Sequence, residues 1–157
     1  MDDAAIARAV HVLAVVLWIG GVGFVTTVLL PALRRRKAPA ERLASFAAFE
    51  QSFSWQARIT TALTGLSGFY MLYRFDLWDR FVSASFWWMH AMVFVWLVFT
   101  VMLYAAEPLF LHRWFEELAK ARPEAGFRLL EWFHRLLFAL SALTILGAVA
   151  GSHGLAW

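Results

Sequence analysis

Four stretches of this chain are apolar on every side. Ala4 to Leu33 carries only Arg8 and His11 as ionisable groups. Ile59 to Tyr73 is uncharged and continues a helical pattern that starts near Glu41. Phe86 to Ala106 has His90 alone able to titrate near neutral pH, and Leu136 to Gly151 is uncharged between His134 and His153. A soluble amphipathic helix keeps a polar face, and these segments have none. A bilayer core of about 30 Å takes about 20 helical residues. The pattern therefore predicts one four-span domain over 1–157, with spans near 4–33, 53–74, 85–108 and 129–152. Leu43, Phe46, Phe49 and Phe53 recur at spacings of three, three and four, opposite Glu41, Arg42 and Glu50. That stripe predicts an amphipathic helical extension, 41–52, ahead of the second span.

Short connections make successive helices antiparallel neighbours. The fold class expected is all-α, an integral-membrane up-down four-helix bundle. The composition agrees: 62% of residues are hydrophobic, against about 45–50% in a soluble domain, and the mean hydropathy is +0.64. The first span starts after Asp2 and Asp3 rather than a basic stretch, so it reads as a retained helix and not a cleaved signal.

Charge sets the expected orientation. The connections after spans one and three hold nine basic residues, Arg34, Arg35, Arg36, Lys37, Arg42, Arg113, Lys120, Arg122 and Arg128. The other side holds three, Arg8, Arg74 and Arg80. The excess predicts basic loops in the cytoplasm and both termini outside, in the periplasm of a bacterial inner membrane. Topology accounts for these basic residues, so they are no argument for nucleic acid.

The chain has no cysteine. Disulfides, thiolate metal sites and covalent c-type haem attachment are excluded. A metal would be held by His, Met, Glu or Asp. His11 and His90 each fall about 8–9 Å inside the outer boundary of their spans, and His153 lies at the outer end of the fourth. An ionisable residue inside a membrane marks a candidate site, because burying it without a partner is costly. Imidazole ligates metals and haem iron. Trp18, Trp88, Gly20 and Gly21 suit the pocket of a flat apolar macrocycle. With Met92 and other methionines nearby, the same histidines also suit copper. The plainer alternative is that each imidazole bonds a backbone carbonyl, and that the glycines serve helix packing. His112 and His134, beside Arg113 and Arg135, are expected at the surface of the basic end. Arg58 and Glu107 are expected to pair.

Two motifs carry a resemblance. "HVLAVVLWIGGVGF" resembles the first helix of the four-helix bacterial protoporphyrinogen oxidase family (HemJ-type), and "WMHAM" its Trp-Leu-His-x-Lys stretch, with Met92 where that family has lysine. "GAVAGSHG" and "YAAEPLFLHRWF" are similar to copper-resistance membrane proteins (CopD-like). The chain is thus identified as a member of a broad CopD/HemJ-like group. The resemblance implies a b-type haem with His11 as ligand. The function expected is a redox or electron-transfer role, with His11 and His90 as axial ligands and Met92 or His153 as substitutes. Outer-side copper binding or transport, a protoporphyrinogen oxidase-like enzyme and a structural subunit of a membrane complex are the alternatives. The partners implied are membrane lipid and a quinol, a porphyrinogen or a redox protein. Small-residue faces also permit a homo-oligomer.

Overall fold

The structure, a computed structural model, describes residues 3–154, with the side chains of 110–112, 115, 116 and 119 outside that description. Every regular element among the described residues is helical. Helix α1 (Asp3–Phe24), a π-helical segment (Val25–Leu29) and α2 (Leu30–Arg36) form one continuous rod of 34 residues. Helix α3 (Pro39–Arg74) runs back along α1. Two 3-10 turns (Trp78–Val82 and Ala84–Phe86) lead into α4 (Trp87–Val101), which continues as a second π segment (Met102–Leu111) into α5 (His112–Ala121). Helix α6 (Pro123–Ser152) returns along α4.

Both π segments sit where proline disturbs a helix. Pro31 and Pro108 have no N–H for the carbonyl four residues back, and their rings crowd it. A wider turn absorbs the misfit. In the first segment Thr26 and Thr27 also bond back to Val22 O and Gly23 O, each at 2.7 Å. Pro39 and Pro123 sit at helix starts instead, where the missing donor costs nothing.

Three helical rods are long and apolar enough to cross a membrane: Asp3–Arg36, Ala84–Leu109 and Pro123–Ser152. Helix α3 is the longest single α-helix, at 36 residues, about 54 Å, and it is not among them. Its composition follows from its position. Leu43, Phe46 and Leu72 are buried toward its ends, but from Ser54 to Ser67 its buried face is small and mostly polar, with Ser54, Ala57, Thr60, Thr61, Thr64, Gly65 and Ser67. Its exposed face carries Trp55, Ile59, Leu63, Leu66, Phe69 and Tyr73. This reverses the pattern of a water-soluble helix, where the apolar face turns inward.

Aromatic rings seated on glycines set the helix spacing. A methyl added at Gly65 would lie 2.6 Å from Trp96, and one at Gly151 would lie 2.5 Å from Trp88. Gly21 receives the ring of Phe53, Gly23 that of Phe138 and Gly147 that of Trp87. Small residues thus bring backbones close and make room for bulky ones, as in lipid-embedded bundles. At the basic end Arg34 grips Glu131 with two nitrogens, and Arg42 pairs with Glu124 at 2.9 Å. Both guanidiniums lie over the buried ring of Phe127, at 5.9 and 5.7 Å from its centroid. At the opposite end the Tyr70 hydroxyl donates to Asp3 at 2.7 Å and ties α1 to α3.

Candidate functional site

His11 is half-buried where α1 crosses α3. Its Nδ1 lies 3.0 Å from Thr64 O and 3.1 Å from Ser67 Oγ. The Ser67 hydroxyl itself donates to Leu63 O at 2.5 Å, so its oxygen is left to accept. Both neighbours of Nδ1 are therefore acceptors, and Nδ1 carries the proton. In the neutral ring Nε2 then keeps its lone pair, and it has no partner among the described residues. A histidine ligand is commonly held this way, one nitrogen fixed by a carbonyl and the other offered to a metal. Gly68 completes the seat: a methyl there would come within 3.2 Å of His11 Cε1. Thr64, Ser67 and Gly68 had no signal in the sequence beyond being small residues on one helix.

His90 stands elsewhere. Its Nε2 donates to Phe81 O at 3.0 Å, and its ring meets that of Phe81 edge-on at 5.3 Å. His90, Phe94, Leu97 and Val101 share one face of α4, and it points outward: all four are exposed. The buried residues of α4 are Trp88, Met89, Val95 and Phe99, and His90 is about 200° around the helix from Trp88. His11 and His90 share no bonding partner. His153 is exposed and bonds Val149 O of its own helix at 2.8 Å. Among the described residues no three His, Cys, Asp or Glu side chains gather as a metal site. Met92 is half-buried and packs against Leu72, Trp88 and Met89.

The remaining pocket candidates divide. Trp18 is 3% exposed and meets Phe99 edge-on at 4.9 Å, with its Nε1 unpartnered. Trp88 is buried on Gly151. The space beside Gly21 holds Phe53, whereas Gly20 opens on the outer face of α1 with nothing within 4 Å.

A correction falls on His134. Expected at the surface, it is half-buried, with Phe46 at 5.4 Å and Phe133 at 6.2 Å edge-on to its ring. The sequence placed it beside Arg135 and hid that the two point in different directions, since consecutive helical residues are about 100° apart. The side chain of His112 lies outside the described residues. The expected Arg58–Glu107 pair is present at 3.3 Å, and Arg58 Nε also donates to Leu103 O at 3.0 Å. Tyr104 returns the link by donating to Arg58 O at 2.7 Å, so α3 is stitched to the π segment that follows α4. Both members of the pair line a cleft of about 1520 Å³ in the half of the bundle nearer the basic end, together with His134 and Trp18.

No family model, curated protein or solved structure matches the chain.

Proposed function

We propose that the chain is a four-span protein of the bacterial inner membrane that binds b-type haem and carries electrons. In this reading α3 is the fourth span, the basic end is cytoplasmic and both termini are periplasmic. The observation that carries the haem reading is the seat of His11. An imidazole inside an apolar helix is backed by a glycine, its Nδ1 proton is directed to Thr64 O, and Nε2 is left to ligate. Bound haem would supply one-electron chemistry. The role of the chain is to hold the iron through His11 Nε2 and to keep water away with its aromatic side chains. His90 donates through Nε2 to Phe81 O and keeps an Nδ1 lone pair, but it stands on the exposed stripe of α4, so Met92, which packs against the buried cluster of Leu72, Trp88 and Met89, is the better second ligand.

The visible spectrum of protein purified after haem-sufficient expression tests this, oxidised and then dithionite-reduced. A Soret band is expected, lost in His11→Ala and retained in His90→Ala. Near-infrared magnetic circular dichroism should report His/Met ligation and change in Met92→Leu. A sample without a Soret band refutes the haem reading, and a Soret band unchanged in His11→Ala refutes the ligand.

A further inference from the structure

The cleft at the basic end has a chemistry of its own. Its floor is aromatic, with Trp18, Phe46, Phe53, Phe99 and Phe133. Its charged side chains are two acids, Glu50 and Glu107, and two bases, Arg58 and Lys120. The wall thus carries no net charge to select an ion, and Arg58 and Glu107 already satisfy each other. Two polar groups of the lining stand apart from that balance. The Nε1 donor of Trp18 has no partner among the described residues and is able to bond the oxygen of a quinol or a quinone alike. The imidazole of His134 separates the two forms. His134 Nδ1 bonds Leu130 O at 3.0 Å. A carbonyl only accepts, so the Nδ1 proton is fixed there, and Nε2 of the neutral ring is an acceptor with no partner among the described residues. Such a wall takes a neutral, apolar molecule that brings a hydroxyl donor. The rings around His134 favour placing that hydroxyl on an aromatic ring, stacked or edge-on.

We infer that this cleft is a binding site for a lipid-soluble quinol, whose hydroxyl donates to His134 Nε2. An oxidised quinone has only carbonyl acceptors at the same positions. Facing Nε2 it would leave two acceptors opposed, which costs more than the bond gains. The site therefore distinguishes the reduced from the oxidised form. It lies apart from His11, which is not on the wall of the cleft.

The test is calorimetric binding to the protein as purified, in nanodiscs, with decylubiquinol, decylubiquinone and oleyl alcohol as ligands. Wild type is expected to bind the quinol about tenfold more tightly than the quinone, the worth of one buried hydrogen bond and its mismatch. His134→Phe keeps an aromatic ring between Phe46 and Phe133 and removes the acceptor, so the preference should vanish. His134→Gln places an amide oxygen near the position of Nε2 and should restore part of it, which also serves if the phenylalanine variant does not fold. Equal binding of the two redox forms overturns the inference, and so does a preference that survives in His134→Phe or is absent from a folded His134→Gln. Oleyl alcohol binding as tightly as the quinol would show a general lipid-alcohol site and overturn the aromatic assignment. The Soret band of the same samples reports haem separately, so loss of the quinol preference and loss of haem are distinct outcomes.

Discussion

At the scale of single residues, the molecule separates helix glycines that hold something from the one helix glycine, Gly20, that does not. Gly151 is filled by the Trp88 ring at 2.5 Å from where a Cβ would stand, and Gly20 has nothing within 4 Å. Gly151→Ala must push a buried indole out of its seat, an overpacking cost of about 1–3 kcal/mol. Gly20→Ala meets no neighbour and gains helix propensity, up to about 1 kcal/mol. Thermal unfolding in one detergent should therefore show Gly151→Ala melting below wild type and Gly20→Ala at or above it, and the reverse order would mean that this packing is wrong. The sequence made these two glycines look alike, because both belong to small-residue stretches of apolar helices. What separates them is which side chain of another helix arrives opposite, and spacing along one helix does not carry that. The same limit explains the histidines. Depth in the bilayer could be counted from the chain, which matched His11 with His90. The direction of each ring depends on which stripe of its helix is buried, and on α4 that stripe passes through Trp88 instead.

At the scale of elements, the basic end depends on unequal partners. Glu131 is 5% exposed, whereas the side chain of Arg34 is 42% exposed and can turn to solvent. Glu131→Ala removes the buried charge together with its bonds and leaves Arg34 a way out. Its cost should be about 1.5–3 kcal/mol, the range for hydrogen bonds to a charged group. Arg34→Ala strands the buried Glu131 carboxylate and approaches the larger penalty of an unpaired buried charge, about 3–5 kcal/mol. Chemical unfolding of the two variants should rank Arg34→Ala as the less stable, and equal losses would mean that Glu131 is hydrated in the native state. The helices themselves were legible from hydrophobic runs. Their continuation beyond the apolar runs was less so. Helix α3 joins the 41–52 extension to the expected span without a break, and in that extension Leu43 and Phe46 are buried as the stripe required while Phe49 is 56% exposed. The Arg58–Glu107 pair was readable because the two charges bound apolar stretches at the same end of an antiparallel arrangement, Arg58 just before Ile59 and Glu107 just after Ala106.

At the scale of the whole molecule, the open matter is what surrounds the bundle, and α3 decides it. Three rods have the length and apolarity of spans. The fourth has them only on its outer face, because its inner face of hydroxyls and glycine lies against the other helices. If that outer face meets lipid, α3 must cross fully, and its two ends must lie on opposite sides of the membrane. The chain contains no cysteine, so single cysteines can be added without background. Ala38→Cys lies just before α3 and Asp79→Cys in the first 3-10 turn after it, both at exposed positions. In intact cells a membrane-impermeant maleimide should label Asp79→Cys and Gly154→Cys, and should label Ala38→Cys only after the membrane is opened. That result fixes α3 as a span, places both ends of the described chain outside and puts the Arg34–Arg42 cluster in the cytoplasm, as the positive-inside rule requires. Labelling of Ala38→Cys and Asp79→Cys from the same side would leave α3 as a helix held within or against the bundle. The Arg58–Glu107 pair and the cleft would then lie at a different depth, and the quinol site would lose its route from the bilayer.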